Sequence, residues 1–277
     1  MYLRNRLLRI FIEFQGKTIQ GVRIFMYSLL LISNRSNLLM PDPDDIKICK
    51  SCGFSGPGNY CNNCGQSFII KRVSIPGLIH DILHFFTHLE KGFGYTLKQL
   101  IIAPGHMQRT YLEGKRSIHQ KPFSMFFICA TITALTRYWI LSAIIKYHHA
   151  DITSEAKFFH EYMVLTYIAL VPIYVLITYL MFYKAKYNYA EIGVMMLYAL
   201  SFIFLASAFI SLPKIFYPRL ETRFIEFPVF TIYIMVTLIN YFKIIPWWIV
   251  AIKSVVIMIA AFFLNDLAED FMIRLIT

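Results

Sequence analysis

The chain is short of charge and of recognisable chemistry. Asp, Glu, Lys and Arg make up only 16% of its 277 residues, against 57% hydrophobic ones, which is far from ordinary soluble usage. It contains no P-loop and no G-x-S-x-G. Its one His–Glu pair, His160–Glu161, runs on into Tyr162, Met163 and Val164 rather than completing H-E-x-x-H. Phosphate-cradling NTPases, nucleophile-elbow hydrolases and zincin-type proteases are therefore not indicated. No carboxylate cluster interrupts the apolar runs, and no internal repeat suggests a transporter assembled from two halves. These absences weigh against an enzyme and name no catalytic residue.

The apolar runs themselves set the class. Mean hydropathy is +0.55, and the excess lies after residue 122, in stretches near the roughly 20 residues that a helix needs to cross a bilayer. The sequence predicts an all-α integral membrane helix bundle with spans near 122–145, 162–183, 190–212, 226–242 and 246–264. Merging the last two would give four crossings, but Pro246 interrupts so long a segment. Loop 213–225 is awkward, because Lys214, Arg219 and Arg223 would then face outward against the positive-inside rule. Residues 265–277 read as a tail in which Asp266, Glu269 and Asp270 form a solvated end.

Basic residues concentrate ahead of the first span. Residues 1–39 carry six Lys/Arg against one acid and 98–121 five against one, whereas 122–277 is nearly balanced at eleven against nine. This predicts an N-inside orientation with the N-terminal part cytoplasmic, C-outside, and attraction to anionic lipid headgroups at a bacterial inner membrane. Nucleic-acid binding by the same charge is the lesser reading. Residues 1–39 form a basic extension whose apolar stretch, Ile24 to Ile32, is too short to span. A start at Met40, making the extension a gene-model artefact, competes with an interfacial basic helix.

Five cysteines fit a reducing compartment. Cys129 lies alone in an apolar run and is expected to behave as a small hydrophobe. The other four, Cys49, Cys52, Cys61 and Cys64, form C-x2-C-x8-C-x2-C with Gly53 and Gly65 directly after the pairs. Such knuckles turn backbone N–H groups toward thiolates and suit a closed, structural Zn2+ site with no open position for substrate. Two disulfides, free thiols or an iron–sulfur cluster are the competing readings. The ribbon is assigned to 40–70.

Between ribbon and bundle, residues 74–121 read as amphipathic, interfacial helices. Ser74 and Pro76 signal a start, and Leu78, Ile82, Phe85, Phe86 and Leu89 recur at helical spacing. His80, His84 and His88 share the opposite face, as a metal pair, a pH-sensitive contact or simply a polar face. Thr96 and Gln99 are spaced as a capping box for a second helix, and Pro104 opens a third that Gly114 ends. In this basic collar His106, Arg109, Lys115 and Arg116 are candidates for phosphate or lipid-headgroup contact, against a plain anchoring role. Arg137 and Lys253 fall inside spans, where charge is costly and often functional. Arg137 precedes Tyr138 and Trp139 as in an interface belt, Lys253 can snorkel, and Glu161 and Glu191 are the expected partners.

The order CKSCG…YCNNCGQSF followed by HLEKGFGYTLKQLIIAPGHMQRTYLEGKRSIHQKPFSMFF resembles the bacterial domain-of-unknown-function family 3667, of Bacteroidetes type. That family pairs a small zinc ribbon with G-F-x-x-T-L…P-G…Y-x-x-G-K-R ahead of membrane helices. The pattern falls here on Gly92, Phe93, Thr96, Leu97, Pro104, Gly105, Tyr111, Gly114, Lys115 and Arg116. The resemblance covers about residues 47–127 and implies that the four ribbon cysteines are metal ligands; it implies no activity. The expectation is a membrane protein whose ribbon and collar recruit a protein partner or lipid. A transporter or lipid-handling protein using Arg137 or Lys253, and a lipid-phosphate-modifying enzyme, are the alternatives, and homo-oligomerisation is left open.

Overall fold

The computed structural model describes residues 46–70, 72–77, 92–148 and 162–276. The chain divides into two compact units, Met1–Cys49 with Gly53–Phe68, and Lys50–Cys52 with Ile69–Thr277. The N-terminal extension, the stretch with His80, His84 and His88 that is expected to be helical, and Glu161 all lie outside the described residues.

In the first unit two short strands, β1 (Lys47–Ile48) and β2 (Ser55–Gly56), pair antiparallel with Lys47 opposite Gly56. An isolated bridge joins Tyr60 to Ser67. With so little sheet among the described residues 46–68, their order centres on the cysteines.

The second unit is helical. Residues 75–77 begin a helix where Ser74 and Pro76 place one. Two short helices follow, α1 (Phe93–Ile102) and α2 (His106–Leu112). Then come five long ones: α3 (Pro122–His148), α4 (Met163–Met181), α5 (Tyr189–Ser211), α6 (Arg223–Tyr241) and α7 (Trp247–Ile276). All five are long and apolar enough to cross a bilayer, which makes this a multi-pass membrane protein. Each expected span falls on one of these helices, with bounds within a few residues except at the end of the last. The last helix continues to Ile276, so the stretch assigned to a tail from residue 265 carries on the same helix. Thr96 and Gln99 do not form the expected capping box: α1 begins at Phe93 after Gly92, with no side-chain cap, and Thr96 lies buried inside it.

α5 is the centre of the bundle. Its most apolar stretch is 72% buried, compared with 17–39% for the other four. Small residues such as Ala190, Gly193, Ala199 and Ser207 let neighbouring helices come close, which is how helices associate where lipid offers no hydrophobic drive. Several hydroxyls within the spans are satisfied locally: Ser201 donates to the Leu197 carbonyl and Ser254 to that of Val250. Asn188 caps α5, accepting from Glu191 N while Glu191 Oε2 accepts from Asn188 N.

The collar helices dock on one end of this bundle through backbone contacts. Gly105 has φ of +80°, and a Cβ there would lie 2.1 Å from the Thr237 carbonyl oxygen on α6. Asn240 Nδ2 donates to the Pro104 carbonyl at 2.9 Å. Gln120 is held on both sides, its N–H donating to Thr96 Oγ1 and its carbonyl accepting from Tyr198 OH. A Cβ on Gly92 would collide with the backbone of residues 118–120. The glycines are thus required by close approach.

Gly105→Ala is expected to destabilise the protein by about 1–3 kcal/mol through strain and forced separation of α2 from α6. Gly94→Ala, with nothing within 4 Å of the new methyl, should be neutral or stabilising by a few tenths of a kcal/mol, roughly the helix-propensity gain. Thermal unfolding in detergent compares them; equal midpoints for the two variants would refute the docking argument.

Candidate functional site

The ribbon cysteines converge. One sulfur from each of Cys49, Cys52, Cys61 and Cys64 lies within 4.8 Å of all the others, and none is in a disulfide. Cys49 Sγ and Cys64 Sγ are 3.6 Å apart. Tetrahedral Zn–S bonds of about 2.3 Å place sulfurs about 3.8 Å from one another, so the spacing suits one four-coordinate ion. Two equivalent turns build the cluster. Cys49 N donates to Phe54 O and Gly53 N to Cys49 O; Cys61 N donates to Gln66 O and Gly65 N to Cys61 O. Gly53 and Gly65 adopt φ of +76° and +72°, where a side chain would be strained. The four thiols can hold a metal ion, and a four-thiolate set leaves no coordination position for a substrate.

The collar residues expected to share a phosphate do not form one cluster. His106 and Lys115 are exposed. Arg116 lies over the Tyr111 ring at 5.6 Å and donates to the Tyr111 carbonyl. Arg109 pairs with Glu113 at 2.9 Å, one helical turn on, and lines a hollow of about 580 Å3, open mouth included, with Tyr187, Tyr241, Lys243 and Ile245. The second cation here, Lys243, escaped the sequence reading because only the fold brings the α6–α7 turn beside α2. His119 is buried against Tyr95 and Tyr111, and that burial lowers its pKa.

Most of the glycine–proline–tyrosine pattern in this stretch is explained by packing. Gly92, Thr96, Pro104, Gly105 and Tyr111 touch the bundle or the segment before α3, and Gly114, at φ +118°, leaves room for the Ile70 side chain. A further tie was not anticipated. Arg72 grips Glu191 with two hydrogen bonds of 2.6 and 2.8 Å and donates to the Lys186 carbonyl. The Glu191 carboxylate raises the Arg72 pKa further. Glu191 therefore serves Arg72 and the α5 cap, and Arg137 and Lys253 find other partners.

Arg137 is almost fully buried, at 1% exposure, rather than lying in an interface belt. Its Nη2 donates to Ser207 Oγ, Ser207 in turn reaches Glu226 Oε2 at 3.4 Å, and Glu226 is the carboxylate acting on it. Tyr167 lies within electrostatic reach of both charges. Glu226 carries no sequence motif; it reads as the polar start of a span. Lys253 donates to the Met181 carbonyl at 2.6 Å and faces the Phe182 ring, so it caps the C-terminal end of α4. The awkward loop also acquires partners: Arg223 bridges Asp266 and Glu269 on α7, and Lys214 feels Glu226 and Glu221.

Comparison with known proteins adds one match. No curated protein and no solved structure matches the chain. Residues 90–134 match the family model described as Protein of unknown function (DUF3667). This stretch contains α1, α2 and the first half of α3, the part whose glycines and buried polar contacts seat the collar on the bundle, and the match supports assigning the chain to that family.

Proposed function

We propose that this is a bacterial inner-membrane protein whose ribbon holds a structural Zn2+ on the cytoplasmic side and whose collar binds anionic lipid headgroups. The closed four-sulfur cluster is the observation that carries the first half. A segment with two strands of two residues each gains its folding free energy from metal ligation, and zinc is the ion that four thiolates in this compartment favour.

Charge distribution supports the orientation. Lys98, Lys115, Arg116, Lys121, Lys184, Lys186 and Lys243 belong to the collar end of the second unit, whereas at the other end Lys146, Lys214, Arg219, Arg223 and Arg274 are fewer and are offset by Glu221, Asp266, Glu269 and Asp270. This is the asymmetry expected when the collar end faces the cytoplasm. The hollow beside Arg109 and Lys243 is the preferred headgroup contact, with two cations from different elements and one carboxylate, Glu113, lining one space, so that the balance is positive. A lipid-phosphate-modifying enzyme would need a carboxylate facing both Arg109 and Arg116. Glu113 serves Arg109 as an ordinary i,i+4 pair and Arg116 lies on Tyr111, which favours binding over catalysis. A protein partner for the ribbon is the companion role.

Elemental analysis of the purified protein should find about one zinc per chain, lost when Cys61 and Cys64 are both replaced by Ser; a metal-free protein with the ribbon still ordered would reject the zinc assignment. Reporter fusions should place residue 70 in the cytoplasm and the C-terminus outside, and a cytoplasmic C-terminus would invert or shorten the bundle. In reconstituted membranes, spin-labelled phosphatidylglycerol should show a motionally restricted fraction that falls severalfold in Arg109→Gln/Lys243→Gln, on the order of two lost charge-assisted contacts. An unchanged fraction would exclude the hollow as the headgroup site.

A further inference from the structure

Helices α4, α5, α6 and α7 enclose a cleft of about 1080 Å3, counting its open mouth. Along most of its length the walls are hydrocarbon: Met196, Leu200, Ile203, Phe230, Ile257 and Met258. At the end away from the collar the lining changes. Arg223, Glu226, Asp266 and Glu269 all line it there, so carboxylates outnumber guanidinium groups three to one. Adding Arg137 behind Ser207 leaves the excess negative. Lys214 is not part of the lining and has Glu221 as a second neighbour.

The decisive group is Glu226. It is 5% exposed; Arg137 and Lys214 act on its charge from nearby, but of its two oxygens only Oε2 has a hydrogen-bond partner, Ser207. Its Oε1 is buried with no hydrogen-bond partner among the described residues. A buried carboxylate oxygen left without a donor is costly, most of all beside hydrocarbon. The position in the first turn of α6 favours a negative charge but brings no N–H to that oxygen. An apolar channel ending at an unsatisfied anionic acceptor is complementary to an amphiphile with a donor-bearing, cationic head.

We propose that this cleft binds a membrane lipid with a primary-ammonium headgroup. Its N–H groups donate to Glu226 Oε1 and to the carboxylates at the mouth, and one acyl chain lies along the apolar wall toward Met196 and Leu200. A quaternary ammonium has no N–H to give, and an anionic head meets the negative mouth. The site is distinct from the Arg109–Lys243 hollow and stands whether or not that hollow binds lipid.

The test is native mass spectrometry of the full-length protein in nonionic detergent. Phosphatidylethanolamine, phosphatidylcholine and phosphatidylglycerol with identical acyl chains are offered in equal amounts. The ethanolamine lipid should be retained about tenfold over the choline lipid, as expected for a charge-assisted contact worth one decade. Glu226→Gln should reduce that preference about tenfold. Ala261→Phe fills the apolar arm without touching a charge; it should abolish the ethanolamine-lipid adduct and leave phosphatidylglycerol at the collar in place. Equal retention of the ethanolamine and choline lipids, or a preference surviving in Glu226→Gln, overturns the proposal. Should Glu226→Gln fail to fold, Ala261→Phe decides alone: an undiminished ethanolamine-lipid adduct overturns the site and its loss supports it.

Discussion

At Gly105 the chain turns with a positive φ and passes so close to the Thr237 carbonyl that no side chain fits between them. Around this contact the rest of the collar is arranged: the Pro104 carbonyl takes a donor from Asn240, the Gly105 N–H is satisfied by Gln108, and Tyr111 packs on Tyr198. The backbone between the short helices carries polar groups that must be satisfied where it meets an apolar bundle. Interlocking it with α5 and α6 supplies those partners and seats the basic side chains at one end of the membrane-crossing helices.

The same constraint organises the interior. Where lipid cannot hydrate a charge, each charge needs a partner from another helix. Arg137 on α3, Ser207 on α5 and Glu226 on α6 form such a relay, and Lys253 on α7 is used by the α4 terminus. Removing one member of a buried pair leaves the other uncompensated, so these contacts fix which helices neighbour which. The relay is incomplete on one side, since Glu226, which lines the cleft, keeps a buried oxygen with no hydrogen-bond partner among the described residues. The ribbon solves a different problem, the ordering of a segment too small for a core, by ligand convergence.

Much of this was legible without coordinates because it depends on local spacing or on length. C-x2-C knuckles closed by Gly53 and Gly65 can do little else than turn their sulfurs inward, and five apolar runs cannot be stable in water. Other features were read in the right place with the wrong emphasis. Thr96 reads as a cap, yet it is a buried acceptor inside α1; Arg137 beside Tyr138 and Trp139 reads as a belt, yet it is core. In both cases local neighbours suggested an exposed role that packing against α5 and the segment before α3 overrode. The collar cations were read as one cluster because they are close in sequence, whereas α2 and the turn after it point them to different surroundings.

The sequence by itself determined the class of the molecule, its five helices long and apolar enough to cross a bilayer and the four cysteines that could hold a metal ion, because these follow from hydropathy summed over a helix length and from cysteine spacing within a single turn. Only the tertiary structure decided the partners: Arg72 with Glu191, Arg137 with Glu226 through Ser207, Lys243 beside Arg109, and the cleft that ends at Glu226. Those pairings join residues on different elements. Electrostatic and hydrogen-bond complementarity acts over a few ångströms of space, and no local pattern in the chain records which helix faces will meet.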